Sequence, residues 1–164
     1  MEKRHEKMTE DTTIAWQVTR FDALDANHLY ELLKLRVDVF VVEQACAYPE
    51  LDGKDVLPDT LHLTGRTKDG SLAAYARILA PGARFSNISF GRVVVAPLYR
   101  KTGLGHALVK KILDEAGRLW PGRGITIGAQ TYLKDFYRCH GFVPVSDPYL
   151  EDGIAHIDMT RNQA

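Results

Sequence analysis

The sequence predicts an α+β domain: a central, mixed and mostly antiparallel sheet of about six to seven strands, with helices on both faces. Three observations lead there. Two runs rich in apolar and β-branched residues, Thr60 to Arg66 and Leu72 to Leu79, are separated by Lys68-Asp69-Gly70-Ser71, a hairpin signal with glycine at its turn. A third run, Ile88 to Val95, leads through Ala96-Pro97 and Arg100-Lys101-Thr102-Gly103-Leu104-Gly105-His106 into a helix. The rest of the chain returns to strands after that helix. Antiparallel hairpin strands feeding one helical crossover imply a mixed sheet.

In chain order, Ile14 to Arg20 alternates Ile14, Trp16 and Val18 on one face and reads as a strand. Asp25 to Val42 carries Leu29, Leu32, Leu33, Val37, Phe40 and Val41 as the apolar stripe of a first long helix. A polar, aromatic and acidic loop, Glu43 to Asp55, follows and ends in Asp-Gly turn chemistry. After the three strands, Leu104, Leu108 and Ile112, with Val109, Leu113 and Ala116 alongside, mark a second helix over about Gly103 to Trp120, stopped by Pro121-Gly122. Ile125 to Gln130 alternates as a strand, and Tyr132 to His140 is a short helix capped by Gly141. Phe142 to Val145 and Ala155 to Thr160 close the sheet, joined by a loop containing Pro148 and Gly153.

Composition narrows the function classes. The 164 residues suit a single domain over 13–164, after a charged, polar segment over 1–12 that reads as a disordered tail without a hydrophobic leader core. Lys+Arg and Asp+Glu are both 21, so no global charge points to nucleic acid or an anionic membrane. Cys46 and Cys139 are too few for a disulfide framework, no His–Cys spacing suggests a metal, and two thiols fit a reducing cytoplasm.

The stretch from Arg100 to His106 is the strongest chemical signal. A helix N-terminus presents unpaired N–H groups and roughly half a positive charge, which suits a phosphate. Gly103 and Gly105 remove side chains where a ligand must approach the backbone, and Arg100 and Lys101 add cations at the same mouth. The P-loop pattern is absent, and Leu108 stands where the dinucleotide fingerprint needs its third glycine.

Arg100-x-x-Gly103-x-Gly105, opening a helix after a strand, resembles the acyl-CoA pyrophosphate loop of the GNAT N-acyltransferase superfamily. Phe136-Tyr137-Arg138-Cys139-His140-Gly141-Phe142 resembles that family's Phe-Tyr-x-x-x-Gly-Phe segment. Leu35 to Gln44, Asp52-Gly53-x-Asp55, Thr60-x-His62-Leu63 and Tyr149 to Ile157 are similar to the ElaA-like branch, with Ala155 where that branch has a proline. The resemblance covers about Ile14 to Thr160. It implies a GNAT-like fold and acetyl-CoA as co-substrate, with a small-molecule or peptide amine as acceptor. It also implies CoA contacts from Val93, Val94, Val95, Arg100, Lys101, Thr102, Gly103, Leu104, Gly105, His106, Leu133 and Phe136, and Tyr137 as the acid that protonates the departing sulfur.

The chemistry explains such residues. An amine attacks the thioester carbon, an oxyanion develops, and a thiolate leaves. Free backbone groups on the Val93–Val95 strand would pair with the pantetheine arm as an added strand does, and stabilise the oxyanion by ~3 kcal/mol per donor. A tyrosine of pKa ~10 is matched to a thiolate. Taken alone, Tyr137 also reads as a core aromatic beside Phe136. For the base, Glu43 is the first choice among Glu43, Glu50, Asp52, Asp55, Glu151 and Asp152, because it adjoins the apolar stripe of the first helix. His62 and His156 lie in strand contexts and read as structural. Arg36 interrupts an apolar helix and reads as paired with a carboxylate of the following loop or of a substrate. The Glu43–Asp55 and Tyr149–His156 loops should flank the acceptor, and their surplus of carboxylates favours a cationic amine. Two other functions fit the same residues. One is an enzyme like acyl-homoserine-lactone synthases, whose carrier-protein partner calls for a basic docking face; the other is a catalytically silent CoA-binding regulatory module. Strand edges and apolar loops also allow a homodimer.

Overall fold

The computed structural model describes residues 13–163, so the tail expected over residues 1–12 lies outside the described part. Strands β1 (Ala15–Arg20), β2 (Leu61–Arg66), β3 (Leu72–Leu79) and β4 (Ser89–Val95) form one antiparallel sheet in that order. Strand β5 (Ile125–Gln130) pairs antiparallel with β8 (Ile154–Arg161), whose other edge carries β6 (Val143–Pro144) and β7 (Tyr149–Glu151). The two four-stranded halves meet at a parallel bridge between Ile88 and Ile125. There the Ile88 N–H donates to Gly124 O at 3.1 Å and the Thr126 N–H to Ile88 O at 2.8 Å.

Helices cover both faces because β3 is apolar on both. Ala74, Ala76 and Ile78 pack with Leu104, Leu108, Val109, Ile112 and Ala116 of α2 (Leu104–Leu119). Tyr75, on the opposite face, packs with Val94 of β4 and with Leu32 of α1 (Ala26–Arg36). Asp25 caps α1, its carboxylate accepting from the His28 N–H at 2.8 Å. A third helix, α3 (Lys134–Arg138), follows a turn at Thr131–Leu133. In β2, Gly65 is required by its cross-strand partner: a Cβ there would stand 2.7 Å from the Trp16 ring. No helix among the described residues is long and apolar enough to cross a membrane.

Two local features depart from the sequence reading. The first helix does not run uniformly to Val42; from Val37 to Glu43 it widens into π turns, with the Gln44 N–H donating to Val39 O and the Cys46 N–H to Val41 O. This widened turn keeps Arg36 and Val39 both buried before the chain leaves the sheet. The segment read as a loop around Tyr149 to Gly153 is a hairpin, β7–β8, turning at Asp152 (φ 50°) and Gly153 (φ 76°). Both central residues have positive φ, the geometry that Asp-Gly favours.

Candidate active site

After the bridge at Ile88, β4 and β5 share no further ladder, and the wedge between them opens into a cavity of about 560 Å³. Gly91, Arg92 and Val93 of β4 line one wall, and Ile127, Gly128 and Gln130 of β5 the other. Strand β4 is bulged where it borders this space. From Gly91 to Val94 it advances three residues while β3 advances two, from Arg77 to Tyr75, and Arg92 takes φ 52°. A bulge leaves the backbone of its extra residue outside the ladder. A non-glycine residue in this left-handed conformation costs ~1–2 kcal/mol, so something must hold it.

An ion network behind β3 and β4 supplies that hold. Arg92 Nε lies 2.7 Å from Glu50 Oε2, and its Nη2 donates to Glu50 O at 3.0 Å. Arg36, fully buried, donates from Nε to Glu50 Oε1 at 2.6 Å and from Nη1 and Nη2 to the two Asp55 oxygens at 2.7 and 3.2 Å. Arg77 grips Asp52 bidentately at 2.8 Å on each oxygen and reaches Asp55 Oδ1 at 3.0 Å. His62 bridges the Tyr75 hydroxyl at 2.8 Å and Asp55 O at 3.0 Å. Burial works against the charged carboxylates of Asp52 and Asp55, but the arginine hydrogen bonds and charges outweigh it and hold both below the usual aspartate range. Burial holds His62 below an ordinary imidazole. Arg36 therefore pairs with the loop carboxylates.

At the α2 N-terminus, Lys101 (φ 61°) and Gly103 (φ 84°) turn the chain, and no side chain caps the helix. The first intrahelical bond is Ala107 N–H to Gly103 O at 3.2 Å, leaving the amides of Leu104, Gly105 and His106 without helical acceptors. A Cβ on Gly105 would stand 3.7 Å from the Phe136 ring and 4.0 Å from Val95, so packing within the chain does not require glycine there. Gly103 is different, since its backbone conformation does. Among the other sequence candidates, Lys101 is exposed, Thr102 donates to Tyr99 O at 2.6 Å, and His106 lies tilted against the Phe136 ring and meets His140 at 2.9 Å. The side chains of Leu104 and Val94 are buried in the cores, so only their backbones remain for a ligand. Val93 and Leu133 line the cavity.

Tyr137 also lines it, nearly buried and set edge-on to Phe136 and Phe142. Burial raises its pKa above an ordinary tyrosine, which keeps the hydroxyl protonated and able to donate. Glu43 lies elsewhere. It is exposed, outside the cavity lining, and held bidentately by Arg100 at 2.6 and 3.0 Å, a contact that depresses its pKa. The same contact turns Arg100 toward Glu43.

The structure brings both acidic loops to the cavity, where Cys46, Tyr48, Asp52 and Lys54 face Glu151, Asp152, Ile154 and His156. The carboxylate surplus of those loops is cancelled, however. The lining holds Asp52, Glu151 and Asp152 against Lys54, Arg77, Arg84 and Arg92, and the arginines arrive from β3, β4 and the loop between them. The bulge at Arg92 and the convergence of Arg84 and Gln130 on this space were missed in the sequence; Gly91 inside a β-branched run was the one available signal for the bulge.

This geometry has counterparts among known proteins. Over residues 41–162 the chain matches the acetyltransferase (GNAT) domain family. ElaA of Escherichia coli strain K12 is 42% identical over 148 residues, covering 90% of this chain and 96% of that protein. The crystal structure of an acyl-CoA N-acyltransferase from Pseudomonas aeruginosa has a TM-score of 0.86 at 43% identity, covering 91% of this chain and 99% of that one. The crystal structure of Escherichia coli ElaA has a TM-score of 0.84 at 41% identity, with the same coverage. With the open wedge, the bulged β4 and the uncapped α2 already in place, these matches assign the fold and the reaction family: the chain belongs to the GNAT acetyltransferase family and has ElaA among its relatives.

Proposed function

We propose that this protein is an N-acetyltransferase that moves the acetyl group of acetyl-CoA directly onto a small-molecule or peptide amine, in the cytoplasm. The observation that carries this reading is the wedge itself. One wall presents a bulged strand, the free amides of α2 stand past its end, and Tyr137 lines the space between.

The residues fit the co-substrate. The amides of Leu104, Gly105 and His106 would hold the pyrophosphate, with Lys101 adding charge and the open face of Gly105 allowing close approach. The bulged backbone from Arg92 to Val95 would pair with the pantetheine arm and donate to the thioester oxygen as negative charge grows there. Tyr137 would give its proton to the sulfur as the carbon–sulfur bond breaks. We give Glu43 no proton-transfer role, because its carboxylate is committed to Arg100 away from the cavity.

The test is thiol release from acetyl-CoA over a panel of a polyamine, a free amino acid, an aminoglycoside and a peptide with a free amino terminus. Amine-dependent release is expected for the wild type, and acetyl-CoA binding without release would instead identify a silent CoA-binding module. Tyr137→Phe keeps the ring and its packing, so turnover should fall ~10²–10⁴-fold with acetyl-CoA affinity by calorimetry little changed. Full turnover in the folded variant would remove the acid role from Tyr137.

A further inference from the structure

We infer that His156 is the base that takes the proton from the incoming amine, and that Glu151 beside it stabilises and drains that proton; this rests on the acetyl-transfer reading above. His156 lines the same cavity as Tyr137, and its side chain is 12% exposed. Its Nδ1 lies 2.7 Å from the carbonyl oxygen of Ile154. A carbonyl only accepts, so Nδ1 is the protonated nitrogen, and in the neutral ring Nε2 carries the free lone pair. The ring is held in that orientation by Tyr149, which stacks on it at 6.0 Å and 22° and is itself tied through its hydroxyl to Asp158 Oδ1 at 2.6 Å.

The surroundings match a proton acceptor. Glu151 Oε2 lies 3.6 Å from Nε2, too far for a hydrogen bond to a neutral ring and close enough to attract an imidazolium. Arg84 engages the other Glu151 oxygen at 3.5 Å, and Gln130, the partner of His156 across β5, is uncharged. Of the other carboxylates, Glu50, Asp52 and Asp55 are taken by three arginines and Glu43 by Arg100, while Asp152 sits exposed at the hairpin turn.

In the step, an N–H bond of the ammonium breaks and Nε2–H forms, and the proton leaves by way of Glu151 to solvent. The freed nitrogen pair attacks the thioester carbon. As the carbon–sulfur bond breaks, the electron pair leaves with sulfur, which takes the Tyr137 proton. The second proton lost from nitrogen restores the tyrosine, so the turnover yields an amide, a free thiol and one proton.

The experiment uses the full chain, acetyl-CoA and whichever panel amine supports the fastest thiol release. In His156→Gln, kcat should fall ~10²–10⁴-fold while acetyl-CoA affinity by calorimetry is unchanged, and the acidic limb of the kcat profile should flatten. Added imidazole should restore turnover in His156→Gly, which a purely structural histidine would not permit. Glu151→Gln, at a half-exposed position that does not endanger the fold, should lower kcat with acetyl-CoA affinity retained, because the proton loses its route to solvent. Wild-type turnover with an unchanged acidic limb in folded His156→Gln overturns the base assignment, wild-type turnover in Glu151→Gln overturns the role of Glu151, and either leaves acetyl transfer standing. A wild type that releases thiol with no amine overturns the acetyl-transfer reading and this one with it.

Discussion

Two acidic loops flank the cavity, and they carry their charge differently. Glu50 and Asp55 in the first are 5% and 6% exposed and locked against Arg36, Arg77 and Arg92, with Asp52 gripped from both oxygens. Glu151 in the second is 44% exposed at its side chain and shares only long contacts with Arg84 and His156. The same residue type is a structural strut in one loop and an available charge in the other. What separates them is the number of guanidinium donors within reach, and each of those donors comes from a distant element.

The largest effect that should separate the loops is on stability. Asp55→Ala leaves two buried arginines short of a partner, and losing one member of a buried ion network typically costs ~3–5 kcal/mol. Glu151→Gln should stay within ~0.5 kcal/mol, as most exposed substitutions do. Chemical denaturation of both variants reads this directly, and equal losses would erase the contrast.

A smaller effect should appear in acid. Asp52 and Asp55 are held below an ordinary aspartate in the folded protein. Their stabilisation is therefore complete above pH ~4 and is lost as pH falls from there through the lowered folded values. Stability followed by circular dichroism should decline below pH ~4 in the wild type and with a shallower slope in Asp52→Asn. An unchanged slope would mean that other groups govern acid unfolding.

The smallest effect is expected at Glu43. Its pair with Arg100 is solvent-exposed and screened, so Glu43→Gln should leave the melting temperature and turnover nearly as they are. A large drop in turnover, with acetyl-CoA affinity retained, would return Glu43 to consideration as the base.

Much of the frame was legible because its signals are local. The alternation of Tyr75 and Arg77 with Ala74, Ala76 and Ile78 marks a strand buried on both faces, and Leu104, Leu108 and Ile112 mark the buried stripe of α2. Gly103, read as clearing room for a ligand at the helix N-terminus, occupies the left-handed conformation that turns the chain there. The β7 strand was missed, its segment being read as a loop, although Asp152-Gly153 is a hairpin dipeptide. The π turns after Arg36 and the bulge at Arg92 were not legible. Both are held by long-range ion pairs and packing, against the helical and strand patterns of their own segments.

By itself, then, the order of residues determined most of the elements, the glycine turn at the α2 N-terminus and the family resemblance, because periodicity and turn preference act over a few neighbouring positions. The tertiary structure alone decided which carboxylates are spent and which histidine nitrogen is free. The charge a carboxylate presents depends on donors a few ångströms away, and here Asp55 meets Arg77 across 22 positions and Glu50 meets Arg92 across 42, separations over which sequence pattern carries no information about contact.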